Sequence, residues 1–141
     1  MQETERVIAL ISEVREKANR FILDELKRNH IDGLAPSHGA VMIQLYKHGD
    51  LCMKDLAEKV GKDKSTITAL VNKLVKLGYI EKVKDREDNR MTHLILTDKG
   101  RSIKGVFSQI SEGLLEKVYR DFEEQDKVSL IEKLERVSAN L

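Results

Sequence analysis

Ser65, Thr68, Ala69 and Asn72 fall on one side of a single helical run, with Lys76 a turn further on and Lys73 beside them. Short hydroxyl and carboxamide groups donate to and accept from base edges in a major groove about 12 Å wide. Ala69 is small enough to permit close approach or to touch a thymine methyl. Lys73 and Lys76 are placed to neutralise phosphate, which sets affinity and not sequence. The bland reading of this face is a solvated polar surface. The distribution of charge favours the first reading. Between Met53 and Lys104 thirteen Lys and Arg stand against eight Asp and Glu, a local +5, so the formal net charge of +1 leaves the two ends together at −4. A basic centre between acidic ends suits a polyanion.

Other chemistries find little support. His30, His38, His48 and His93 are separated by eight, ten and forty-five residues, so no two share a helical turn, and no HxxxH or CxxC occurs. Ser37 and His38 are adjacent, and neighbours on a helix point in different directions. There is no G-x-S-x-G, no Walker loop and no clustered carboxylate pair, so the chain is expected not to be an enzyme and to use no metal or cofactor. Cys52 is the one cysteine and cannot close an internal disulfide. The start, Met1 to Arg6, is polar and acidic, unlike a cleaved leader, and no apolar run approaches the ~20 residues of a membrane span. The expected location is cytoplasmic.

At 141 residues with 40% hydrophobic and 35% charged, the chain fits one domain, and its single Pro and few glycines set the all-β classes aside. Val7, Ile11, Val14, Ala18, Phe21, Ile22 and Leu26 recur at helical spacing and predict one helix from about Glu3 to Arg28, with Gly33 supplying a left-handed cap. A second helix begins near Pro36-Ser37, buries Val41, Met42 and Leu45, and stops at Gly49-Asp50. A short helix from Leu51 to Val60 ends at Gly61. After Lys62, Asp63 and Lys64 the next helix runs from Ser65 to Gly78, capped by Asp63, with Ile67, Leu70, Val71, Leu74 and Leu77 on an apolar stripe of roughly 120°. Two helices across a short Gly-containing turn, the second polar and cationic outside, make the helix-turn-helix pattern, whose second helix enters a major groove. The period then changes to two: Tyr79–Lys84 and Thr92–Thr97 predict a hairpin with a charged tip at 85–91. Thr97 caps a helix running through Ile103, Phe107, Ile110 and Leu114 to Phe122, and a last helix carries Val128, Ile131, Leu134 and Val137.

Leu56-Ala57 to Gly61, Ser65-Thr66-Ile67-Thr68, Leu70-Val71, Leu74 and Gly78-Tyr79-Ile80 together resemble the winged helix of MarR-type transcriptional regulators. Asp85, Asp88 and Arg90, followed by Leu94-Ile95-Leu96-Thr97-Asp98-Lys99-Gly100, are similar to that family's wing and the "LT-x-KG" after it. The flanking helices match its dimerisation region in order and length. The wing departs at one place: Glu87 stands where the family commonly has Arg, with Arg86 a step earlier, and Asn89 stands where many members have another Arg. The resemblance implies that Arg90 reaches a minor groove, held by Asp88; an Arg in a narrow groove reads AT-rich shape. Arg90 as a structural salt-bridge partner of Asp85 or Asp88 is the alternative, and the roles can coexist. Some members sense peroxide through a cysteine, at a position resembling one in the first helix, which here has none. Cys52 instead stands at a helix cap, as a poor acceptor or a small buried hydrophobe.

The expected fold is therefore mainly α with a small β-hairpin wing, a winged helix-turn-helix. Residues 1–34 and 103–141 would be dimerisation helices around a DNA-binding lobe at 35–102, in one intertwined domain. Two copies would interlock through both ends, because a winged helix alone leaves those apolar faces without a partner. The expected function is a homodimeric regulator, a repressor of a pseudo-palindromic operator in double-stranded DNA. Its DNA-binding set is Lys64, Ser65, Thr66, Thr68, Ala69, Asn72, Lys73, Lys76, Arg86 and Arg90. The resemblance further implies a small aromatic or anionic effector between the dimer region and the lobe, for which Ile11, Arg15, His38, Met42 and Tyr46 are candidates. The rival reading is a winged helix whose polar face binds a protein partner.

Overall fold

The computed structural model describes residues 2–88 and 90–141; Asn89 of the expected wing tip and Met1 lie outside the described residues. After a 3-10 turn at Glu3–Arg6 come α1 (Val7–Arg28), α2 (Pro36–His48), β1 (Leu51–Cys52), α3 (Met53–Val60), α4 (Lys64–Lys76), β2 (Ile80–Lys84), β3 (Thr92–Leu96), α5 (Asp98–Ser102), α6 (Lys104–Val118) and α7 (Glu124–Ala139). The fold is the mainly α winged helix that the patterns predict, with three corrections.

His30, not Gly33, takes the left-handed cap of α1. At φ 60° its amide donates to the Lys27 carbonyl while that of Ile31 donates to Leu26, the paired bonds of a Schellman end. Ile31 is buried behind it, so an apolar contact outweighs the strain of a non-glycine residue there. Leu51 and Cys52 form a strand and not the first turn of the third helix. They pair antiparallel with β3, Leu51 opposite Leu94 and Cys52 opposite His93, which makes the wing a three-stranded sheet in the order β1-β3-β2. Two residues are too few for a periodicity to register. The helix expected from Asp98 to Phe122 breaks at Ile103 and ends at Val118, leaving Phe122 outside it. Asp121, at φ 67°, then turns the chain into α7.

The core is centred on α2, α3, α4 and the sheet, and Leu26, Ile31, Leu34, Phe107 and Ile110 join it from the flanking segments. Leu26, Val41, Met42, Leu45, Leu56, Ile67, Val71, Leu74, Ile80 and Leu94 are sealed from solvent, joining α1, α2, α3, α4 and the sheet. Burying each such side chain contributes about 1.5–3 kcal/mol. The ends differ. Leu26 alone is buried on α1, no residue is buried on α7, and Ile8, Val14, Leu115 and Val128 remain more than half exposed. Among the described residues no helix is long and apolar enough to cross a membrane.

Candidate nucleic-acid interface

The interface is built on α4, whose start is fixed by Asp63. One of its carboxylate oxygens accepts from the Thr66 amide (2.7 Å) and from the Ser65 hydroxyl (2.9 Å). The bond from the Thr66 backbone, more than any other, holds the Asp63 carboxyl below its usual range. Thr68 donates to the Lys64 carbonyl one turn back (2.8 Å). Ser65 and Thr68 thus have their protons engaged and keep only lone pairs for a further partner. Ser65, Thr66, Ala69, Asn72, Lys73 and Lys76 are exposed, as is Lys64, and Thr68 is half-buried. The opposite stripe, Ile67, Val71 and Leu74, is fully buried, which sets the rotation of the helix.

The far end of α4 is held by the segment after β3. Lys99 donates to the Leu77 carbonyl (2.7 Å) and lies over the Tyr79 ring, 4.5 Å from its centroid. Thr97 donates to the Gly78 carbonyl (2.6 Å) and accepts from the Gly100 amide, capping α5. At Gly100 a Cβ would lie 2.2 Å from the Tyr79 carbonyl oxygen, so the approach of α5 to this turn requires glycine. The Thr-x-Lys-Gly run is the joint between the end of α4 and the sheet.

In the wing, Asp85 accepts from the Glu87 amide (2.9 Å) and pairs with His93 Nε2 (3.0 Å). The His93 bond is the main cause of its depressed carboxyl pKa. Asp88 accepts from both the backbone and the Nε of Arg90, at 3.0 and 3.3 Å. The Arg90 side chain is 93% exposed, so Asp88 aims the guanidinium without covering it. Arg86 is also exposed. Sequence reasoning passed over Lys82 of β2, which donates to the Asn72 carboxamide oxygen. The signal was available: period-two alternation puts Lys82 on the same face as Ile80, the face that meets α4.

The five candidates for an effector site do not come together. Met42 is sealed in the core. Tyr46 gives its hydroxyl proton to the Gly100 carbonyl (2.6 Å), and burial pushes its pKa up. His38 caps the start of α2, its Nδ1 accepting from the Ala35 amide (2.9 Å); burial, then Lys73, lowers its pKa. Ile11 sits on the exposed part of α1. Arg15 alone lines the cleft between α1, α2, α6 and the α3–α4 turn, about 640 Å³, with Asn19, Pro36, Lys62, Leu70, Phe107 and Ser111. Helical spacing located the junction, but which side chains face it depends on how three helices rotate against each other. Cys52 caps α3, accepting from the Asp55 amide at 3.5 Å, a weak bond typical of sulfur.

A family-level model described as MarR family matches residues 34–92. The HTH-type transcriptional regulator SarZ of Staphylococcus haemolyticus is 30% identical over 102 residues, 71% of this chain and 67% of that protein. Among solved structures, a mutant MarR from E. coli complexed with operator DNA superposes with a TM-score of 0.82 at 19% identity, covering 97% of this chain and 99% of that one. Bordetella bronchiseptica BpsR, solved in work on regulation of its DNA binding by 6-hydroxynicotinic acid, gives 0.83 at 16% identity over 98% and 96%. The chain belongs to the MarR family of DNA-binding transcriptional regulators.

Proposed function

We propose that this chain is a homodimeric, ligand-responsive repressor that binds a pseudo-palindromic operator in double-stranded DNA and occludes a promoter, acting in the cytoplasm. One observation carries the reading: a helix whose buried stripe is sealed presents on its other side Ser65, Ala69, Asn72, Lys73 and Lys76, exposed, beside a wing that holds Arg90 in solvent. The α4 face supplies base-edge contacts from Ser65, Thr66, Thr68, Ala69 and Asn72, and phosphate contacts from Lys64, Lys73 and Lys76. Arg90, with Arg86 nearby, enters the adjacent minor groove. Residues 35–102 form the DNA-binding lobe; 1–34 and 103–141 pair two subunits and set the distance between recognition helices at about one helical turn of DNA. The exposed apolar side chains of α1, α6 and α7 support that role.

The cleft beside Arg15 and Lys62 suits a small aromatic acid: two cations for a carboxylate, Leu70 and Phe107 for a ring. The operator DNA bound to the E. coli MarR mutant and the regulation of BpsR by 6-hydroxynicotinic acid are consistent with both partners. An effector that favours a lobe spacing unsuited to successive grooves by 1.4 kcal/mol weakens operator binding about tenfold. The test is anisotropy of the purified protein on fragments of its own upstream region, repeated over a salt series and with a panel of aromatic acids. Affinity should fall with salt at a slope near −0.9 per phosphate contact. A flat salt response, with equal binding to every fragment, refutes the reading.

A further inference from the structure

A carboxamide beside DNA has two faces, an accepting oxygen and a donating nitrogen, and bidentate recognition of adenine needs both: the oxygen takes the N6 proton and the nitrogen gives one to N7. In Asn72 the oxygen is already engaged on one of its two lone pairs, with a cation beside the other. Its Oδ1 accepts from the Lys82 ammonium, and a lysine ammonium can only donate, so the orientation of the carboxamide is settled by its partner's chemistry. Lys82 is held there by the sheet. In β2 the alternation sends Ile80 into the core and Lys82, opposite Leu94, to the same face one step further out, over the exposed side of α4. Among the described residues Lys82 enters no ion pair, and its neighbours Glu81 and Val83 lie on the other face of the strand.

From this we infer that Asn72 and Lys82 act as a donor-only reading pair that selects guanine and rejects adenine at one position of each half-site. The inference rests on the proposed operator binding and adds its specificity. The Nδ2 hydrogens and the remaining ammonium protons are all donors, the polarity that the O6 and N7 acceptors of guanine require. Adenine would bring its N6 amino group against donors, and cytosine offers only a donor; thymine offers a single acceptor, O4. Ser65 and Thr68 have the reverse polarity, because their protons are held by Asp63 and the Lys64 carbonyl. Lys82 is a positioning residue for Asn72 as well as a donor in its own right.

The test enriches binding sites from a random duplex library with the purified protein, then measures all four bases at each half-site position for the parent, Asn72→Ala, Lys82→Met and Lys82→Arg. The parent should prefer guanine over adenine by roughly tenfold at the position that Asn72→Ala relaxes. Lys82→Met should reduce that preference at least fivefold at this position alone, and Lys82→Arg, which still donates, should keep it. Replacing that guanine with 7-deazaguanine should weaken the parent and not Asn72→Ala. The pair is refuted if Lys82→Met lowers affinity by one common factor for all bases with a salt slope reduced by about one, the behaviour of a phosphate contact. It is also refuted if the parent prefers adenine there. Enrichment of no sequence by the parent would instead overturn operator recognition itself.

Discussion

A side chain on this surface acts according to which of its polar atoms are already engaged. Arg90 illustrates this: Asp88 takes its Nε and backbone amide and leaves the side chain exposed, which preorganises a cation for the proposed minor-groove contact. Arg90→Ala should weaken operator binding, lower the salt slope by about one and flatten the preference for AT-rich flanks, all read by anisotropy on paired duplexes. An unchanged flank preference would return Arg90 to a purely structural pairing with Asp88. His38 gives a pH prediction. Its folded pKa lies below 6.5, so over the window beneath 6.5 the unfolded chain takes up a proton that the folded chain resists. That contribution to stability is intact above 6.5 and declines as pH falls. Urea titrations at pH 7.5 and 5.5 should show a smaller loss for His38→Asn than for the parent. Residue types were legible in advance on α4, where an exposed face needs only the period of one helix. Lys82 was missed because its partner is ten positions away across a turn.

At the scale of elements, the sealed stripe of α4 and the joint after β3 hold the interface in place. Leu74 is fully buried beneath the exposed face, so Leu74→Ala should cost about 2–5 kcal/mol in denaturant unfolding. Gly100→Ala introduces a Cβ 2.2 Å from the Tyr79 carbonyl oxygen, backbone that cannot rotate away. A loss of about 1–3 kcal/mol is expected from such overpacking. Because the same turn carries the end of α4, operator affinity should fall further than stability alone accounts for at a temperature where the variant is folded. Helix boundaries at α2, α3 and α4 followed from Pro36, Gly49, Gly61 and Asp63, each acting within one turn. Errors fell where a distant contact decides: β1 exists because β3 has a free edge, and the α1 cap sits at His30 because Ile31 reaches the core.

For the whole molecule, the centre is sealed while α1, α6 and α7 keep apolar side chains open. Val128, Ile131 and Leu134 on α7 and Leu115 on α6 stay exposed in the single chain, a face of the kind two subunits bury together. Replacing Val128 and Ile131 with Asp should convert a dimer to a monomer in sedimentation velocity. It should also weaken operator binding by on the order of 10², since the second lobe no longer profits from the first. If the variant sediments and binds as the parent does, these helices serve another purpose. Fold class, the order of the long helices and the two wing strands, and the polar face of α4 follow from the sequence alone, because period, caps and charge act over a few residues. The third strand, the break at Ile103, the lining of the cleft and the Lys82–Asn72 bond belong to the tertiary structure. Each depends on the relative rotation of elements far apart in the chain, and only packing the shared core determines that rotation.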